Sequence, residues 1–382
     1  RWRRESPKQD AAYRCGQCMD HYRDALSLEL LGVRLQTERA TGEDASFTLG
    51  TLATELKVQG KYDEAEPLIR EALEMDRETL GNRHPDTLIS INNLGSLLQA
   101  KGDLAAAEPL LREGLEGKRE TLGNRHQSTL ASINNLGSLL NAKGDHAAAE
   151  PLLREALEGK RETLGSRHPS TLNSVSNLGG LFGAKGDLTA AEPLFREAME
   201  VLRETLGARH PTTLSAIDNL GTLLKAKGDL AAAEPLFCEA LELQRGTLGD
   251  RHPDTLNSIH NLGSLLKAKG DLAAAEPLFR EAMEVSLETL GDRHPNTLFS
   301  INSLGMLLQG KGDLAAAERL LREALEVRRE TLGNRHPDTL TSIGNLGLLL
   351  QDKGEVDAAA PLLRECCIGY TALGSASAAL GI

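Results

Sequence analysis

Residues 78–88 read ETLGNRHPDTL, and the same eleven letters stand again at residues 330–340, 252 positions further on. The copies are members of a series. An RHP or RHQ triplet recurs with its histidine at His84, His126, His168, His210, His252, His294 and His336, always 42 residues apart. Self-similarity at a fixed period of this size is the mark of a repeat array, in which one supersecondary unit is stacked many times. Eight units begin near residues 43, 85, 127, 169, 211, 253, 295 and 337, and the first is degenerate. Residues 19–42 resemble the second helix of a still earlier, partial unit. The expected organisation is therefore a tail over 1–18, a partial repeat over 19–42, an array over 43–372 and a tail over 373–382.

Each unit carries two helical patterns. In the first, Ile91, Leu94, Gly95 and Leu98 recur at helical spacing and form one apolar stripe. Pro85 suits the first turn, where a missing N–H costs little. The pattern stops at AKGD: Gly102 can take positive φ and Asp103 can cap the next helix. The second helix is expected to run about 20 residues, to Gly123, which ends it. It contains a proline at 67, 109, 151, 193, 235, 277 and 361, with Arg319 as the exception, and a bend is expected there. No such pair can bury its own stripe, whereas stacked neighbours can.

The pattern Ile133, Leu136, Gly137, Leu140, Ala149, Leu153 and Ala156 resembles that of the tetratricopeptide repeat, with aliphatics in place of aromatics. The 42-residue spacing, with NNLGSLL, GKYDEAEPL and TLGNRHPDTL, resembles the kinesin-light-chain and nephrocystin type over roughly residues 19–372. The resemblance implies an all-α, right-handed solenoid of about eight antiparallel helix pairs. It also implies a concave groove lined by the first helix of each pair, which holds an extended peptide or partner surface.

Comparing units within the chain separates packing from variation. The isoleucine of the stripe is kept as Ile91, Ile133, Val175, Ile217, Ile259, Ile301 and Ile343. The places read as facing the groove vary: Asn92 corresponds to Asn134, Ser176, Asp218, His260, Asn302 and Gly344. One such place is nearly constant, as Asn93, Asn135, Asn177, Asn219, Asn261 and Asn345, with Ser303 between the last two. A carboxamide donates and accepts, so it can pair with peptide backbone of any sequence. These asparagines are read as groove contacts; the alternative is that they tie units together. Lys225 and Lys267 stand at matching places in adjacent units, either to attract an acidic peptide or as solvated lysines. Phe299, Met306 and Leu348 fall on groove places of the last two units, either as an apolar binding patch or as packing.

Other classes of function find little support. A formal charge of −12 argues against sequence-independent nucleic-acid binding. No apolar run is long enough to span a membrane. Five cysteines form no disulfide framework, and a cytoplasmic setting follows. The histidines of successive units lie too far apart to share a metal, given helix spacings of about 8–10 Å, so each is expected to close its own loop. The arginines beside them, Arg83 through Arg335, are expected to meet carboxylates along one edge. CGQC at 15–18, with Cys15, Cys18 and His21, lacks the context of a redox or zinc site. No nucleotide-binding or hydrolase motif occurs. No catalytic residue, metal or cofactor is expected. The reading is a non-catalytic interaction scaffold, with self-association left open by Cys366 and Cys367. A regulatory or sensor arm of a larger enzyme or ATPase is the second reading, and a cargo adaptor of the kinesin-light-chain kind a variant of the first.

Overall fold

The computed structural model describes residues 28, 30–42, 44–58 and 61–372. The motif CGQC and the two tails lie outside them. The described residues form an all-α solenoid of seventeen helices. They fall into two compact units, up to Leu97 and from Leu98.

The first unit holds α1 (residues 30–41), α2 (Ser46–Val58), α3 (Tyr62–Thr79) and most of α4 (Pro85–Ala100). Leu35, Ala45, Leu49 and Ala72 form its core, with Leu52, Leu68 and Met75 packed against them. Asn93, on α4, is half-buried.

The second unit stacks six and a half pairs. They are α5 (Leu104–Leu122), α6 (Gln127–Ala142) and α7 (His146–Leu164), α8 (Pro169–Ala184) and α9 (Leu188–Leu206), and α10 (Pro211–Ala226) and α11 (Leu230–Leu248). Then follow α12 (Pro253–Ala268) and α13 (Leu272–Leu290), α14 (Pro295–Lys311) and α15 (Leu314–Leu332), and α16 (Pro337–Asp352) and α17 (Val356–Ala372). Every helix packs on the next. The first helices also touch one another across units, α6 on α8, α8 on α10, and so on to α16. Closer approach on that side makes the first helices the inner row of the stack.

The stops and starts follow from local chemistry. Gly144, Gly186, Gly228 and their equivalents take φ near +80° and release the chain from the first helix. The aspartate that follows caps the second helix: Asp145 Oδ1 accepts from Ala148 N at 3.1 Å, and Asp187 Oδ1 from Ala190 N at 3.0 Å. The second helices run unbroken through their internal prolines, which lie on the exposed side.

Within a pair the two helices approach closely because Gly stands beneath a large side chain. A Cβ on Gly221 would lie 2.7 Å from the Phe237 ring, and one on Gly137 would lie 2.8 Å from Leu153. The glycine of each LG therefore marks the crossing point of the pair. Ile133, Val175, Ile217 and Ile259 are fully buried beside it, as are Ala149, Ala191, Ala233 and Ala275.

The histidine series acts locally, as the spacing implies. His168 Nδ1 accepts from Ser170 N at 3.1 Å, His210 Nδ1 from Thr212 N at 3.2 Å, and His252 Nδ1 from Asp254 N at 3.2 Å. Each ring thus caps the first helix of its unit, with Pro at the following position. Loss of a cap costs about 1 kcal/mol. His210→Ala is expected to destabilise the array by about that amount, and His210→Asn by less. Denaturation midpoints of the two variants against the parent check this.

The arginines beside the histidines meet glutamates of the second helix in the same unit. Arg167 pairs with Glu204 at 2.9 Å, Arg251 with Glu288 at 2.6 Å, and Arg293 with Glu330 at 2.9 Å. A second series runs between units, for example Arg203 to Glu239 at 2.9 Å. A third places a glutamate between two cations: Lys185 and Arg154 hold the Glu150 carboxyl below its ordinary range through hydrogen bonds. Such exposed pairs contribute little singly; their regularity fixes register between units.

Candidate functional site: the inner face and its unit junctions

The inner face is built from one side of α6, α8, α10, α12, α14 and α16. What lies on it depends on how each pair meets the next. At every junction three places come together: one on a second helix, one on the following first helix and one on the preceding first helix. Between the units starting near 127 and 169 these are Lys160, Ser174 and Asn134. Lys160 Nζ donates to Ser174 Oγ at 2.9 Å and to Ser170 O at 3.2 Å, and Ser174 Oγ donates to Asn134 Oδ1 at 3.2 Å. All three side chains are buried. Burial lowers the Lys160 pKa. A buried ammonium persists because hydrogen bonds compensate its lost hydration.

The remaining junctions keep the geometry and change the chemistry. Arg328 Nη1 donates to Ser342 Oγ at 2.6 Å and to Asp338 O at 3.0 Å. Ser258 Oγ lies 3.2 Å from Asp218 Oδ2, beside buried Gln244. His260 Nε2 lies 2.7 Å from Ser300 Oγ. Ser300 Oγ also lies 2.9 Å from Asn296 O, which can accept its proton. His260 Nδ1 is buried without a partner. Burial pushes the His260 pKa down to about 4 and the Asp218 pKa up to about 6. Hydrogen bonds from Asn261 and Ser258 oppose the shift at Asp218.

These places correct one expectation. The variable series Asn134, Asp218, His260 and Asn302 was expected to flank the groove. Asn134, His260 and Asn302 are instead 6–7 % exposed and Asp218 is largely covered. One helical step turns them from the inner face toward the next unit, where the serine and asparagine of that unit reach them. The variation there matches junctions to each other.

The asparagine series divides for the same reason. Asn261 Nδ2 donates to Asp218 Oδ1 at 3.2 Å, and Asn345 Nδ2 donates to Asn302 Oδ1 at 3.2 Å. Both are tied to the preceding unit. Asn177 and Asn219 make no side-chain hydrogen bond among the described residues. Asn134, the counterpart of Asp218, accepts from Ser174 but not from Asn177. The place that would take Asn219 holds Ser176, which is too short to reach. Asn135 is half-buried and partnered.

The other candidates sit as follows. Lys225 Nζ donates to Ser264 Oγ of the next unit at 2.8 Å. Lys267 would meet Met306 by the same step, which offers no acceptor; it is half-buried, and burial lowers its pKa. Phe299 is 50 % exposed and stands edge-on to His260, with ring centroids 4.8 Å apart. Met306 is half-buried against the last core cluster, and Leu348 is half-buried. Of these candidates the charged ones stand in the units starting near 211 and 253 and the apolar ones in the last two.

Sequence reasoning passed over the buried serines and their partners Lys118, Lys160 and Arg328. Their signal was available: Leu202 and Ala216 change together at the one junction where both polar groups are absent. It also passed over Thr171 and its equivalents, fully buried; Thr171 Oγ1 donates to Gly165 O at 2.9 Å and locks the loop between units. Among the described residues no cluster of His, Cys, Asp or Glu is arranged to hold a metal ion. No helix among them is long and apolar enough to cross a membrane.

An array of stacked helix pairs with a continuous row of first helices defines an α-helical repeat protein. The chain belongs to the tetratricopeptide repeat family: the family model matches residues 44–120, 128–204, 175–246, 215–288, 254–330 and 300–370. Among solved structures, the chain is similar to the Q17M form of a putative kinesin light chain from Podosopora anserina with nearly identical TPR-like repeats. The identity is 28 %, over 54 % of this chain and 97 % of that one, with a TM-score of 0.47. It is also similar to a Rap protein complexed with Competence and Sporulation Factor, at 14 % identity, 87 % and 94 % coverage and a TM-score of 0.55. The apo quorum sensor NprR from B. thuringiensis matches at 14 % identity, 95 % and 99 % coverage and a TM-score of 0.55. The last two likenesses concern the fold. No curated protein matches the chain.

Proposed function

We propose that the chain is an interaction scaffold which holds an extended peptide segment of a protein partner along the inner face of its first helices. The observation that carries this reading is the pair of carboxamides of Asn177 and Asn219, which have no partner among the described residues. Asn219 is exposed and Asn177 half-buried, so both carboxamides are open to a partner from outside the fold. An extended backbone supplies the matching N–H and C=O groups regardless of its sequence. Asn135, Asn261 and Asn345 extend the same row within the second unit, with the last two already tied to the preceding helix pair, and Asn93 is the matching residue of the first unit. Lys225 and Lys267 add positive charge, and Phe299, Met306 and Leu348 add apolar surface toward the last units. The 42-residue period supports a likeness to the kinesin-light-chain type of array. Absence of nucleic-acid and membrane binding, a cytoplasmic location and capacity for self-association belong to the same reading.

The test uses peptides selected on the intact chain from a random twelve-residue library. The double variant Asn177→Ala, Asn219→Ala is expected to weaken their binding at least tenfold with helicity unchanged. Asn345→Ala, whose amide is engaged by Asn302, is expected to weaken it less than threefold. Equal loss from both, or none from either, contradicts the reading.

A further inference from the structure

The junction between the units starting near 169 and 211 departs from the others. Where Lys160, Gln244, Ser286 and Arg328 stand at its counterparts, it has Leu202; where Ser174, Ser258, Ser300 and Ser342 stand, it has Ala216. Both are buried, so the polar bridge is replaced by an apolar floor. On the inner face a second place is emptied. Ser138, Thr222, Ser264, Met306 and Leu348 occupy the position that here is Gly180. A Cβ on Gly180 would meet nothing within 4 Å, whereas one on neighbouring Gly179 would meet the Phe195 ring at 3.2 Å. Gly179 is required by helix packing and Gly180 is not.

The consequence is a hollow of about 320 Å³. Phe195, Leu202 and Ala216 lie in its lining, together with Asn173, Asn177 and Asn219. No charged residue lines it. The two unpaired carboxamides therefore stand at the rim of a hollow whose bottom is apolar and whose edge is neutral and polar.

We infer that this hollow is the specificity pocket of the groove, and that it receives one bulky, uncharged apolar side chain of an extended peptide whose backbone pairs with Asn177 and Asn219. The inference rests on the groove reading given above and adds what the groove selects. Three features commit it to that occupant. Phe195, Leu202 and Ala216 offer dispersion contacts at the bottom of the hollow, which suits a hydrocarbon or aromatic end, and the polar side chains around them, Ser176 and Ser215 among them, are neutral. A charged side chain would be desolvated there without a counter-ion. The volume admits one large side chain together with adjoining backbone and is far from that of a folded domain, and the flanking amides fit peptide backbone. At the neighbouring junctions the corresponding places are polar, with Lys160 bridged to Ser174 on one side and Gln244 and Ser258 on the other.

The chain supplies its own isosteric controls. Leucine is already accommodated at this place as Leu348, and serine as Ser138. Gly180→Leu should therefore fold and fill the hollow, while Gly180→Ser should restore the neighbouring pattern and leave most of it open. Peptides selected from the random library on the intact chain are synthesised with a fluorescent label and titrated by anisotropy. The expected result is a selected set sharing one position held to Leu, Ile, Met or Phe. Changing that residue to Ala weakens binding tenfold or more; Gly180→Leu does the same and Gly180→Ser costs less than threefold. If the Asn177→Ala, Asn219→Ala variant weakens the peptides but Gly180→Leu leaves them within threefold, the groove reading stands and the pocket is overturned. If the peptides ignore both variants, or the library yields no binder, both are overturned. Circular dichroism melts of each variant separate loss of binding from loss of fold.

Discussion

Phe237→Ala is expected to destabilise the array by about 3–5 kcal/mol, the largest effect of any single truncation considered. Phe237 is fully buried and is the largest such side chain among the described residues. Its ring lies over Gly221 at the crossing point of α10 and α11, where no Cβ fits. Truncation would leave a void bounded by glycine on one side, and glycine has no side chain with which to refill it. The pair could close the gap only by moving the helices together, against the packing of Ala233 and Ala240. Phe237→Leu is expected to cost far less, about 1 kcal/mol, because leucine fills the same place as Leu153 and Leu321. The two variants differ in cavity volume and share their burial, so their denaturation midpoints separate a packing cost from general sensitivity of the site. Equal midpoints would contradict the account. Because long arrays need not unfold in one step, the comparison is of variant against parent under one probe.

Asp218→Asn is expected to stabilise the chain at neutral pH by about 2–3 kcal/mol and to have little effect near pH 4. Burial pushes the Asp218 pKa up to about 6 from 3.8, and two hydrogen bonds, from Asn261 and Ser258, only partly offset it. Between those values the folded chain holds a proton that the unfolded chain has released. Stability contributed by this group is present at low pH and is lost as pH rises through about 6. Asparagine has no charge to desolvate. It keeps the acceptor oxygen that Asn134 offers to Ser174 and Asn302 offers to Asn345. His260, in the next unit, has the opposite slope: burial lowers its pKa to about 4, so its contribution is lost as pH falls through the range from 6.5 to about 4. That slope is common to variant and parent and cancels in their difference. Denaturation midpoints at about pH 4 and about pH 7 measure it; a stabilisation equal at both would mean that Asp218 is not held neutral by its surroundings.

Asp218 also shows where reading the sequence reached its limit. Its place was legible as variable, and its variation was assigned to the groove. A helical wheel resolves faces to within about one residue, or 100°, and the boundary between inner face and unit junction is narrower than that. The stripe of Ile133, Val175 and Ile217 was unambiguous because hydrophobic burial is strong and repeats without change. The asparagine row was legible as a row; its division into tied and unpaired members was not, because each amide's partner sits 43 residues earlier in the chain.

By itself the sequence determined the period, the number of units, the ends of each helix and the chemistry that caps them. These depend on interactions within about four residues, such as His210 with Thr212 and Asp187 with Ala190, and every copy of the unit repeats the same information. The tertiary structure alone decided which polar groups are consumed in holding the units together and which remain for a partner. That depends on contacts about 40 residues apart, where a change on one helix matters only through what the next unit places against it. At the Leu202 and Ala216 junction the bridge is absent, and there the inner face keeps its unpaired amides and its hollow.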